Sequence, residues 1–87
     1  MPYILQYNRK ILDEYLEPLF KQLQFYRIGH LNYIITKIIL QWLNDYTKPV
    51  YKDYNEIIGV LECVKQEFYR RKVVPYEDEK IKENGDI

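Results

Sequence analysis

Asp53-Tyr54-Asn55-Glu56-Ile57-Ile58-Gly59-Val60-Leu61-Glu62-Cys63-Val64-Lys65-Gln66-Glu67-Phe68-Tyr69-Arg70-Arg71-Lys72-Val73 is the stretch that decides the fold class. Ile57, Leu61, Val64 and Phe68 recur at gaps of four, three and four, which is one face of an α-helix and not the alternation of a strand. Asp53 and Glu56 have capping-box spacing, so the pattern predicts a helix from about Tyr54 to Val73. Pro75 should end it, because proline lacks an amide donor and clashes one turn back. The same proline suits the first turn of a further short helix. Glu77, Asp78 and Glu79 favour that helix's positive end, and Gly85 after Asn84 suits its C-terminal cap.

Upstream, Leu31, Ile34, Ile35, Ile38, Trp42, Leu43 and Tyr46 make a second helical stripe, predicting a helix from about His30 to Tyr46 with Gly29 at its boundary. Thr47-Lys48-Pro49-Val50 reads as a loop, since the residue before proline leaves helical space. Ile11, Leu12, Tyr15, Leu16, Leu19 and Leu23 predict a first helix from near Asn8, kinked near Glu17 or split at Pro18. Residues 1–8 read as an N-terminal arm. The expected fold is all-α: one domain over residues 1–87, a small bundle of three main helices plus a short C-terminal helix.

At 87 residues the chain is one small domain, yet 47% of it is apolar and it carries 10 tyrosines. That is more aromatic surface than so small a core hides, so a homo-oligomer or a ligand surface is expected. One cysteine excludes an internal disulfide and fits a reducing cytosol. No apolar run approaches the ~20 residues of a membrane span, and Met1-Pro2-Tyr3 lacks the marks of a signal peptide. Residues 1–74 hold 11 Lys/Arg against 8 Asp/Glu, net +3, and residues 75–87 hold 2 against 5, net −3. That neutral balance argues against a partner of duplex nucleic acid.

Arg70, Arg71 and Lys72 follow Tyr69 and precede Tyr76. Planar guanidinium forks grip phosphate and stack on bases, and tyrosine offers a second stacking face. The plainer reading is compensation of the helix C-terminal dipole, with an exposed Glu67–Arg71 pair. Successive helical residues point about 100° apart, so one arginine is expected to face a ligand and the other Glu67 or solvent. Tyr33, Thr36 and Lys37 offer a ring, a hydroxyl and a charge on another helix surface, or simply an amphipathic rim. Gly59 and Cys63 are four apart, and small residues there suit close helix packing, which makes Cys63 a packed, quiet thiol. His30 is the sole histidine and reads as part of a turn. With one Cys and one His there is no zinc set, and no nucleophile has an orienting partner, so neither an enzyme, a metal nor a cofactor is expected.

Taken together, Met1-Pro2-Tyr3, the Asp13…Pro18 segment, Leu31-Asn32-Tyr33, Ile35-Thr36, Glu67-Phe68-Tyr69-Arg70-Arg71, Pro75-Tyr76-Glu77-Asp78-Glu79-Lys80-Ile81 and Asn84-Gly85-Asp86 resemble a family of short phage and prophage proteins of unknown activity. The likeness covers nearly the whole chain and implies a phage origin. Where that family has Glu before Leu-Asn-Tyr, this sequence has His30. More loosely, the plan of a split first helix, two longer helices and a terminal arginine before a proline is similar to small helical phage proteins that sequester cyclic nucleotide signals between subunits. Such a likeness of plan does not fix function.

Two readings result. In the first the chain binds and sequesters a nucleotide-type immune second messenger without chemistry, in the host cytosol. Tyr69, Arg70, Arg71 and Tyr76 would lead, Tyr33, Thr36 and Lys37 would assist, and Tyr3 on the arm would close over the ligand. In the alternative it is an interaction factor that modulates a host or phage protein through a tyrosine-rich surface, since Tyr and Arg are enriched at binding hot spots.

Overall fold

The computed structural model describes residues 4–87. These are 81% helical in three helices, one bent and one 34 residues long, and contain no strand, so the all-α class stands. The chain separates into two compact units, Met1–Gln41 and Trp42–Ile87.

In the first unit α1 runs Gln6–Phe20, opening two residues before Asn8. Arg9 Nε donates to the Ile4 carbonyl at 2.8 Å and ties down the entering chain. Pro18 lies in the last turn of α1, so the helix is not divided there. The chain then tightens, with the Gln22 amide bonding Leu19 O at 2.9 Å, into a single 3₁₀ turn at Leu23–Phe25.

The second helix, α2, runs Ile28–Leu43, two residues earlier at its start than expected and three shorter at its end. The cause of the early start is His30. Its Nδ1 accepts the Arg27 backbone N–H at 2.9 Å, the part an N3 glutamate takes in a capping box. Gly29 therefore sits in the first turn and is no boundary; a Cβ there would meet nothing within 4 Å. At the other end the Asp45 and Tyr46 amides turn back to Trp42 O and Leu43 O at 3.3 and 3.0 Å.

In the second unit α3 runs Tyr51–Phe68. Pro49 and the extended Val50 (φ −115°, ψ 173°) let it start three residues before Tyr54. Asp53 does not open the helix but sits at its third position, where its Oδ2 accepts the Val50 N–H at 2.9 Å. Glu56, expected as the other half of a capping box, instead pairs with Lys52 at 3.7 Å.

The larger correction lies at Pro75. The helix does not end there: α3 passes through a π-turn at Tyr69–Val73 into α4, Val74–Asn84, as one 34-residue helix. The Val74 N–H bonds Tyr69 O, five residues back. Proline's ring would strike the carbonyl four residues earlier in a regular helix, and it leaves that carbonyl without a donor. One extra residue in the turn widens the backbone at this point. No corner forms between α3 and α4. Gly85 ends α4 as expected, with φ +83° and its amide on Ile81 O at 2.8 Å.

No described residue is buried. The stripes expected to form a bundle core are exposed or half-buried, Leu31, Ile35, Ile38 and Trp42 in α2 and Val64 and Phe68 in α3 among them. Cys63 is likewise exposed, not packed, and nothing stands within 4 Å of a Cβ at Gly59.

Candidate functional site

The π-turn is where the expected site residues meet. Glu67, on the last turn of α3, faces both arginines that follow it. Arg70 Nη2 donates to its two oxygens at 3.0 and 3.1 Å, and Arg71 Nε donates to Oε1 at 2.7 Å. A spacing of three and four residues brings both to one carboxylate, since long side chains swing back over the rotation between their Cα atoms. The expected division, one arginine on a ligand and the other on Glu67 or solvent, is not seen: both are held by Glu67. The cluster keeps one surplus positive charge, two guanidiniums against one carboxylate. The Arg71 and then the Arg70 hydrogen bonds hold the Glu67 carboxyl below its usual range.

Tyr69 points along the helix and donates its hydroxyl to Glu77 Oε1 at 2.7 Å. These residues are eight apart, a spacing that does not align side chains on a regular helix. With one residue inserted by the π-turn they stand about two turns apart on one side. The bond and the carboxylate's charge push the Tyr69 hydroxyl above its ordinary value. Tyr76 lies in the following turn, its ring 5.6 Å from Lys80 Nζ. Tyr69, Arg70, Arg71 and Tyr76 thus occupy one continuous helical segment, all exposed, with the Tyr69 hydroxyl and both guanidiniums engaged by carboxylates of the same helix.

Tyr33, Thr36 and Lys37 share one patch of α2 in the first unit. Lys37 Nζ lies 5.9 Å from the Tyr33 ring centroid, a cation–π pair. The Thr36 hydroxyl donates to the Asn32 carbonyl at 2.8 Å, back onto its own helix. This cluster and the π-turn cluster belong to different units. Tyr3 and the expected closing arm lie outside the described residues.

A feature absent from the sequence reading is an open hollow of about 260 Å³ in the first unit, lined by Leu23, Tyr26, Arg27, Ile28 and Leu31. It forms where the 3₁₀ turn meets the start of α2. His30 stacks on Tyr26 beside it, ring centroids 5.2 Å apart and planes at 30°. The sequence signal was the pair of leucines eight residues apart around an unassigned Tyr26-Arg27.

Among the described residues no group of His, Cys, Asp and Glu is placed to hold a metal, and no helix is long and apolar enough to cross a membrane. No curated protein and no solved structure matches the chain. One family does match, over residues 1–87: the chain belongs to the DUF6899 family, a domain of unknown function.

Proposed function

We propose that this chain is a non-catalytic interaction factor that modulates another protein through its tyrosine-rich helical surface. One observation carries the reading: tyrosines 7, 15, 26, 33, 51, 54, 69 and 76 are all exposed, and no described residue is buried. Tyrosine brings a large, stiff contact area with few rotatable bonds, and an aromatic surface left in water is costly unless a partner covers it. The resemblance to phage and prophage proteins supports a phage origin, and with it a host or phage protein in the host cytosol as the partner.

Sequestration of a nucleotide-type second messenger is the second reading. It is favoured by the surplus positive charge of the Glu67–Arg70–Arg71 cluster, flanked by Tyr69 and Tyr76. A phosphate, carrying more charge than a carboxylate, would compete with Glu67 for the two guanidiniums.

One experiment separates the two. The tagged protein is expressed in an infected, defence-positive host, purified under mild conditions and weighed by native mass spectrometry, then denatured. A stoichiometric second protein, lost when Tyr33 and Tyr69 are both changed to Ala, supports the interaction factor. A released nucleotide, lost when Arg70 and Arg71 are both changed to Ala, supports sequestration. Recovery of neither overturns both.

A further inference from the structure

Helix α3, the π-turn and α4 together carry an apolar seam longer than the other helices of the chain. Taking 100° per residue, Ile57, Leu61, Val64 and Phe68 fall within about 60° of one another, with Tyr54 at the edge. In an unbroken α-helix the seam positions after Phe68 would be the charged Arg71–Lys72 step and then residue 75, which is the proline. Because the π-turn adds one residue to a turn without advancing the face, the position passes to Tyr76. The seam therefore reads Tyr54, Ile57, Leu61, Val64, Phe68, Tyr76, a heptad-like run with one residue inserted and with the charged Arg71–Lys72 step at the position between Phe68 and Tyr76.

We infer that this seam pairs with the same helix of a second copy of the chain. The inference goes beyond the interaction reading and does not require it. Two observations single out a copy as the occupant. The first is length. The seam from Tyr54 to Tyr76 runs about 33 Å, whereas the 15 and 16 residues of α1 and α2 span about 22 and 24 Å, each about 10 Å short of it. A second copy of the 34-residue helix, about 51 Å long, covers the whole seam. The second is area. Tyr54, Val64, Phe68 and Tyr76 are exposed by 48%, 47%, 62% and 62%, and Ile58 and Val60 border them, also exposed. Aromatic side chains bring 150–250 Å² each, so covering these six removes roughly 600 Å² of apolar surface per copy. With the flanking charged stems this approaches the ~800 Å² per partner of a standard specific interface. Gly59, Cys63 and Gln66 lie on the opposite side of the helix and are not part of the seam.

Sedimentation equilibrium between 1 and 100 μM tests the pairing on the full chain, with helicity followed by circular dichroism at each concentration. The parent should sediment as a dimer or a larger even assembly. Phe68→Glu and Leu61→Glu, which place a charge in the seam, should raise the dissociation constant at least ~100-fold. Should those variants lose helicity, Val64→Ala is the milder probe: it should weaken association roughly tenfold while helicity at 100 μM matches the parent. Gln66→Glu and Asn55→Glu, on the opposite side, should leave the dissociation constant within about threefold. A parent that stays monomeric throughout overturns the inference; if its seam variants then also unfold, the seam is covered within the chain. Opposite-side variants that dissociate as strongly as seam variants overturn it as well. Neither result bears on capture of a host protein, which the native mass experiment reads separately.

Discussion

Replacing Pro75 by Ala should turn the π-turn into regular α-helix and rotate everything beyond it. Proline in a helix interior is about 3 kcal/mol less favourable than alanine, and the π-turn is the arrangement that accommodates it here. Alanine restores an amide that can bond Arg71 O, so up to ~3 kcal/mol of local helix stability is recoverable. In a domain of this size each kcal/mol moves the unfolding midpoint by about 4–8 °C, so a clear rise in Tm is expected. Closing the turn also advances α4 by one residue's rotation, about 100°, relative to Phe68. Tyr69 and Glu77 would then stand about 80° apart around the axis and ~12 Å along it, and their 2.7 Å hydrogen bond would break. Tyr76 would swing off the seam, so self-association should weaken while the single chain becomes more helical. The assays are circular dichroism melts, sedimentation, and NMR detection of the hydrogen bond from the Val74 amide to Tyr69 O. A variant that keeps the Val74–Tyr69 bond, or that gains Tm and association together, would refute the claim that the proline causes the turn and the turn sets the register.

Three further outcomes are expected. His30→Ala removes the acceptor for the Arg27 amide and should cost the start of α2 about 1 kcal/mol, whereas His30→Gln should retain most of it; amide exchange at Arg27 and Leu31 reads the difference. Gly59→Ala should stabilise α3 by ~1 kcal/mol, because a methyl there meets nothing within 4 Å; a drop in the dichroism midpoint would place a neighbour against that side. Glu67, with its carboxyl lowered by Arg71 and Arg70, stabilises the fold fully above the ordinary carboxylate pKa, and that contribution is lost as pH falls through the lower folded value. Helicity should therefore hold down to about pH 4 and decline below it, with a weaker dependence in Glu67→Gln and in high salt.

The helical class was legible because apolar gaps of three and four depend only on the sequence, and Ile57, Leu61, Val64 and Phe68 do share a face. Helix ends were less so. Asp53 satisfies a helix start equally well as first residue or as third, since both positions place its carboxylate among free amides, and Val50 decided between them. His30 has no strong capping preference of its own, yet its imidazole reaches the amide that a glutamate would. Pro75 by its usual effect is a stop, whereas here the helix continues through one widened turn that spares the clash. Of the site, the adjacency of Tyr69, Arg70, Arg71 and Tyr76 was readable. The Tyr69–Glu77 bond was not, because a separation of eight has meaning only once a residue is inserted. The two arginines were assigned by the direction of their Cα atoms, and flexible side chains overrode that.

That both guanidiniums rest on one carboxylate changes how substitutions at this site will read. If Arg70 is removed, Arg71 still holds Glu67, and the reverse is equally true. Each arginine is therefore a spare for the other in positioning the acid, and either single replacement leaves a neutral pair. The surplus charge disappears after the first replacement, while the carboxylate loses its last guanidinium only after the second. The two effects should be strongly non-additive, and a double-mutant cycle through Arg70 and Arg71 is the measurement in which the cluster declares itself. Scanning one residue at a time would record charge and miss the redundancy built into a single turn of helix.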